Sequence, residues 1–117
     1  MVLPVDYAMC CQTVTVYRKT PQGIVRTELP GCHLQWEERT TLQTTGRGQE
    51  RRFLLIQPGQ SQQVFAGDRI FDGIGPEISQ ADWQRFVPVF VEGLGEVTYA
   101  IPYQWQGQFC HTEAGRK

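Results

Sequence analysis

"QTVTVYRKTPQGIVRTEL", residues 12 to 29, decides the class of fold. Thr13, Thr15 and Tyr17 alternate with Val14 and Val16, the period of two that sends successive side chains to opposite faces of a strand. Pro21 and Gly23 then supply turn chemistry, because proline presets φ and glycine takes positive φ without steric cost. Val25, Thr27 and Leu29 alternate in turn with Arg26 and Glu28. Two such runs around a short Pro/Gly link predict an antiparallel hairpin.

The same grammar continues outward. "CHLQWEERTTLQTT" (32 to 45) puts Cys32, Leu34 and Trp36 on one face and His33, Gln35 and Glu37 on the other, and "GRG" (46 to 48) turns the chain into "QERRFLLIQ", a second hairpin with a long polar tip. "PGQSQQVFAGD" (58 to 68) carries two turn signals around a short apolar pair, and "RIFDGI" is a strand that ends at Gly75-Pro76. Ser79 with Asp82 three positions on is a capping box that predicts one short helix near residues 80 to 86, stopped by Pro88. "FVPVFVEG" (86 to 93) aligns Val87, Val89 and Val91 as a strand, "GLGE" reads as a turn, and "VTYAIPYQWQGQF" (97 to 109) alternates Val97, Tyr99, Ile101 and Tyr103. The expectation is a mainly β fold: a small antiparallel β-barrel or sandwich of roughly six to eight short strands with long polar loops. Crossover helices for a parallel sheet are missing.

Composition narrows the partners. A chain of 117 residues fits a single β domain, residues 1 to 117, and its size suffices for one core. A net charge of −1 generates no global attraction to nucleic acid or anionic lipid, so any such contact is local. No apolar stretch reaches membrane-spanning length, and the N-terminus lacks a signal-peptide pattern, so synthesis in a cytoplasm and no membrane partner are expected. Cys10, Cys11, Cys32 and Cys110 are expected as reduced thiols in a chain able to build a core without staples.

Chemistry is weighed at three places. "AGDRIFDGIGPEIS" (66 to 79) gathers Asp68, Asp72 and Glu77, but their spacing does not match a calcium loop. Gly67, Asp68, Gly73, Gly75 and Pro76 are expected as structural turns. Cys32-His33 and Cys110-His111 are sequence neighbours, which in a strand point to opposite faces, so neither pair grips one zinc ion. A site drawing single ligands from Cys10, Cys32, Cys110, His33 and His111 is the remaining route to a metal. No metal and no cofactor are expected. No nucleophile elbow, phosphate loop or zincin motif is present, so no catalytic residue is assigned. The basic residues Arg39, Arg47, Arg51 and Arg52, with Gln60, Gln62 and Gln63, are the interface candidates. Neighbouring Glu37, Glu38 and Glu50 offset most of that positive field. Were the arginines to face phosphates with Trp36 or Trp105 stacking on bases, the chain would serve as a small OB-like nucleic-acid-binding module.

The order of these features resembles a known family. "TVTVYRKT", "LPGCHLQWEERTT", the "PGQ…GDRIFDG" block with its GDxIxxG pattern (Gly67, Asp68, Ile70, Gly73), "VPVFVE" and the closing "HTEAGR" with His111 and Gly115 look like the small minor capsid or head-tail connector proteins, of the head-closure or stopper type, of tailed phages and prophages of Gram-positive bacteria. The resemblance spans nearly the whole chain. It implies a β-barrel with long loops, a non-enzymatic virion component, and assembly as a homo-oligomeric ring between the portal or adaptor ring and the tail, with contact to packaged DNA. "GPEIS" and "GEVTYAIPYQWQGQF" depart from the family's pattern.

Overall fold

The computed structural model describes residues 10–37, 52–88 and 90–116. They form one curled antiparallel sheet, half a barrel, from seven strands: β1 (Gln12–Thr20), β2 (Gly23–Trp36), β3 (Phe53–Pro58), β4 (Arg69–Asp72), β5 (Leu94–Glu96), β6 (Tyr99–Trp105) and β7 (Gln108–Gly115). The spatial order is β5-β4-β1-β2-β3-β7-β6. The β1–β2 hairpin turns through Pro21 and Gln22, and Gly23 opens β2 at φ 129°. The β2–β3 pairing (His33 to Trp36 against Phe53 to Ile56) is the second expected hairpin, and its tip lies outside the described residues.

Curling is set by β2. Its first half pairs with β1 and its second with β3, and the bend falls at Pro30-Gly31, where β2 carries one extra residue and Gly31 takes φ 71°. A bulge of this kind bends the strand and increases its twist. The Gln12 side-chain carbonyl accepts the Leu34 N–H at 2.9 Å, replacing a ladder bond at the bend.

The concave side holds the main core, with Val14, Val16, Leu34, Phe53, Leu55, Val64, Ile70, Val97 and Ala114 all buried. Each fully buried aliphatic side chain there stabilises the fold by roughly 1.5–3 kcal/mol. The other face of β1 is also covered: Thr15 and Tyr17 are fully buried, and Tyr17 packs edge-on against Phe86 at 4.6 Å in a second cluster with Leu94. The alternation in "QTVTVY" therefore marks a central strand buried on both faces. Val25, Thr27 and Leu29 share one face of β2 as expected, but Val25 is 48% exposed and Thr27 is exposed too, so that face is buried only toward Leu29.

Two local expectations change. "FVPVFVEG" is no strand: Phe90 and Val91 both donate to the Val87 carbonyl at 3.0 Å, and the segment turns around Pro88 while Phe86 and Val91 plug the second cluster. Val89 lies outside the described residues. "GLGE", expected as a turn, contains β5, which pairs with β4 through Phe71–Leu94 and Arg69–Glu96. Gly95 suits that strand because the Phe53 ring lies over it, 2.7 Å from where a Cβ would sit. The short helix is a 3-10 turn, Gln80–Asp82, continued by turns to Phe86, and the Asp82 carboxylate accepts the Ser79 N–H and hydroxyl at 3.0 Å each.

Candidate functional site

The acidic block is bound into the fold. Asp68 is buried and accepts from Arg18 Nε at 2.9 Å, Arg18 Nη2 at 2.7 Å and the Phe65 N–H at 2.9 Å. Asp68 in turn holds the Arg18 guanidinium above its ordinary pKa, chiefly through those hydrogen bonds. Gly67, at φ 95°, donates to the Val97 carbonyl, and the Asp68 carbonyl accepts the Val97 N–H, both at 2.8 Å. This corner ties the start of β4 to the end of β5.

Downstream, Gly73 (φ 94°) donates to the Thr13 carbonyl and its own carbonyl accepts the Thr15 hydroxyl. The Gly75 N–H donates to Thr15 Oγ1, its carbonyl accepts two Arg26 donors, and the Pro76 carbonyl accepts the Tyr17 hydroxyl at 2.5 Å. Burial raises the Tyr17 pKa, so the phenol stays a donor at neutral pH. Asp72 accepts from Trp36 Nε1 at 3.3 Å, and Glu77 is exposed. All five expected turn residues thus act as connectors between strands. The connection from Gly75 to Val91 is pinned to the sheet by Arg69, whose guanidinium lies 3.7 Å over the Trp83 ring and donates to the Trp83 and Phe86 carbonyls. Burial lowers the Arg69 pKa, against the attraction of Glu96.

Cys10 lies near enough to Cys32 to help raise its thiol pKa, but the described cysteines and histidines gather into no larger cluster. Among the described residues no three His, Cys, Asp or Glu side chains are grouped closely enough to hold a metal ion. Cys32 is buried, its thiol pushed up to about 12 chiefly by burial, and His33 sits on the opposite face of β2. Cys110 is buried in β7, and His111 lies beneath the Tyr103 ring at 5.1 Å, with burial holding its imidazole below the ordinary range despite the nearby Glu113.

Of the basic candidates, Arg39, Arg47 and Arg51 lie outside the described residues. Arg52 is exposed at the base of the β2–β3 hairpin, where its carbonyl accepts the Glu37 N–H at 2.9 Å. It lines an open groove of about 490 Å³ with Gln35, Glu37, Phe53, Leu54, Tyr99 and Arg116. That groove is mixed in charge, with Glu37 in its wall and Arg116 engaged by Glu96 at 3.4 Å. Of the glutamines, Gln60 is exposed, Gln62 donates to the Val64 carbonyl and Gln63 to the Ser61 hydroxyl. The tract stitches its own loop together.

The surface that sequence reasoning did not single out is the β6–β7 hairpin. Gln106 and Gly107 turn it at φ 52° and 78°, both positive as a type I′ turn requires. Ile101, Tyr103 and Trp105 occupy alternate positions of β6 on one face and remain 45%, 41% and 41% exposed. Across the ladder they face Glu113, His111 and Gln108 respectively. An apolar column thus runs beside a polar one. The signal in the sequence is the uncharged run from Val97 to Cys110 with three aromatics and isoleucine two apart.

No protein-family model, curated protein or solved structure matches the chain. The fold and this hairpin therefore carry the functional argument.

Proposed function

We propose that the chain is a structural virion protein of a tailed phage, a head-tail connector or minor capsid component that works by binding and not by catalysis. The carrying observation is the β6–β7 hairpin, which presents Ile101, Tyr103 and Trp105 to solvent at the end of the sheet. Aromatic residues with a polar rim are the usual anchors of protein interfaces, and a virion joint is built from such contacts. The resemblance supports the same reading, since Gly67, Asp68, Ile70 and Gly73 of its GDxIxxG pattern are occupied in holding strands together. A rigid small β scaffold with an exposed adhesive hairpin suits a ring subunit seated between a portal complex and a tail, in a virion assembled in the host cytoplasm.

Deleting the coding segment from the phage that carries it tests the reading. DNA-filled heads and separate, complete tails in the lysate, rejoined when the chain is supplied in trans, are the expected result. Normal titres, or a block before DNA packaging, would exclude the connector role.

A further inference from the structure

Resting on the binding role just argued, we infer that the outer edge of β6 receives an extended, proline-free strand from a different protein, one that carries apolar side chains at alternate positions. Among the described residues β6 is the last strand of the sheet and pairs on one side only, with β7. Which of its backbone groups face outward follows from β7. The Arg116 N–H donates to the Phe53 carbonyl, so from His111 to Gly115 the even-numbered residues of β7 address β3 and the odd-numbered ones address β6. Tyr99, Ile101 and Tyr103 accordingly bond to Gly115, Glu113 and His111. By alternation along β6, Ala100, Pro102 and Gln104 turn their backbone groups to the open side, the register shift between Tyr103 and Gln104 being taken up by the extra residue Cys110 on β7.

That placement explains how a proline survives inside β6, since position 102 owes no N–H to the ladder. It also leaves donors on Ala100 and Gln104 and acceptors on Ala100, Pro102 and Gln104 along an edge that carries no charge. Natural edge strands are commonly guarded by lysine, by a bulge or by shortness. β6 has seven residues with Pro102 on its open edge, and its ladder with β7 shifts register between Tyr103 and Gln104.

Pro102 selects the occupant. When two copies of β6 pair across a two-fold axis, the proline enters twice, and two N–H donors are missing in any register that spans both prolines. A proline-free strand loses only one. Side chains of the added strand opposite Ile101, Tyr103 and Trp105 fall on the same face as those residues, so apolar groups at alternate positions extend the exposed column. Backbone pairing supplies the affinity and the column supplies the selection, as in strand addition to other sheet edges.

The test uses the full chain and an N-acetylated octapeptide of alternating valine and threonine with a lysine at each end. Its twin is N-methylated at alternate residues on the pairing side. The expected result is a dissociation constant below about 1 mM, slowed exchange of the Ala100 and Gln104 amides, and a shift in tryptophan fluorescence that the Trp105→Phe chain does not show. The N-methylated twin and the Ile101→Lys chain should each bind at least roughly tenfold more weakly. No binding of the peptide at about 1 mM, or equal binding of the N-methylated twin, overturns the inference. So does concentration-dependent protection of the same two amides without peptide, which makes a second copy the occupant, or Trp105 quenching by a neutral oligosaccharide in place of the peptide. Any of these leaves the connector reading to its own deletion test, so the two can fail separately.

Discussion

Replacing Asp68 by alanine should unfold the chain far more readily than its place in a surface turn implies. The Asp68 side chain is 3% exposed and that of its partner Arg18 is 40% exposed. Breaking a fully buried pair costs about 3–5 kcal/mol, whereas an exposed pair is worth at most about 1 kcal/mol, and this half-exposed one falls between, near 2 kcal/mol. The Phe65 N–H loses its acceptor as well, which adds about 1 kcal/mol. The expected total is about 2–4 kcal/mol, or a Tm lower by roughly 8–16 °C for a domain of this size. Urea unfolding of Asp68→Ala, Arg18→Met and the double variant measures it. Because the two side chains share their hydrogen bonds, the double variant should be less destabilised than the sum of the singles by about 1–3 kcal/mol. A loss below about 0.5 kcal/mol for Asp68→Ala, or strict additivity, would refute the reading of this corner as a strand connector.

Other consequences can be measured on the same protein. Gly75→Ala places a methyl against the Tyr17 hydroxyl and the Phe71 ring, and should cost about 1–3 kcal/mol in urea unfolding. Leu55→Ala, at a fully buried position, should cost about 2–5 kcal/mol. The His111 imidazole is held below its ordinary range by burial, so the native state binds fewer protons than the unfolded chain as the pH drops through about 6.5. Its contribution to stability is fully present above that pH and lost below it. Tm should fall between about pH 7 and pH 5, with the fall reduced in His111→Gln. In a thiol-exchange assay at pH 8, exposed Cys11 should react in the native chain while Cys32, its thiol pushed up to about 12, reacts only on unfolding.

Much of the fold was legible because local patterning and tertiary demand agree. Val14, Val16, Cys32 and Leu34 alternate in sequence and point into one core. The Pro21–Gly23 turn and the Gly67-Asp68 corner follow from backbone preferences that short stretches already specify. Where reading failed, long-range packing decided. "VPVFVE" has strand-like valines, yet Pro88 and the need to cover Tyr17 turn it into a plug. "GLGE" reads as a turn, yet Gly95 is required by the Phe53 ring above it. Thr15 looks like an outward residue until the connection after β4 folds over it and takes both its hydrogen bonds. The arginines drew attention because charge is visible in a string of letters. Alternating Ile101, Tyr103 and Trp105 read equally as a core face, and it is the sheet order, which among the described residues leaves β6 at the end, that shows them exposed.

The most direct test of the proposed role combines Ile101→Lys, Tyr103→Ser and Trp105→Ser in one chain and asks whether that chain supports the joining of heads to tails. With all three side chains more than 40% exposed, the variant should stay folded. It should also fail to restore joined particles to a phage lacking the native chain, leaving filled heads and free tails under the electron microscope. A folded variant that restores full infectivity would contradict the claim that this hairpin is the working surface of the protein.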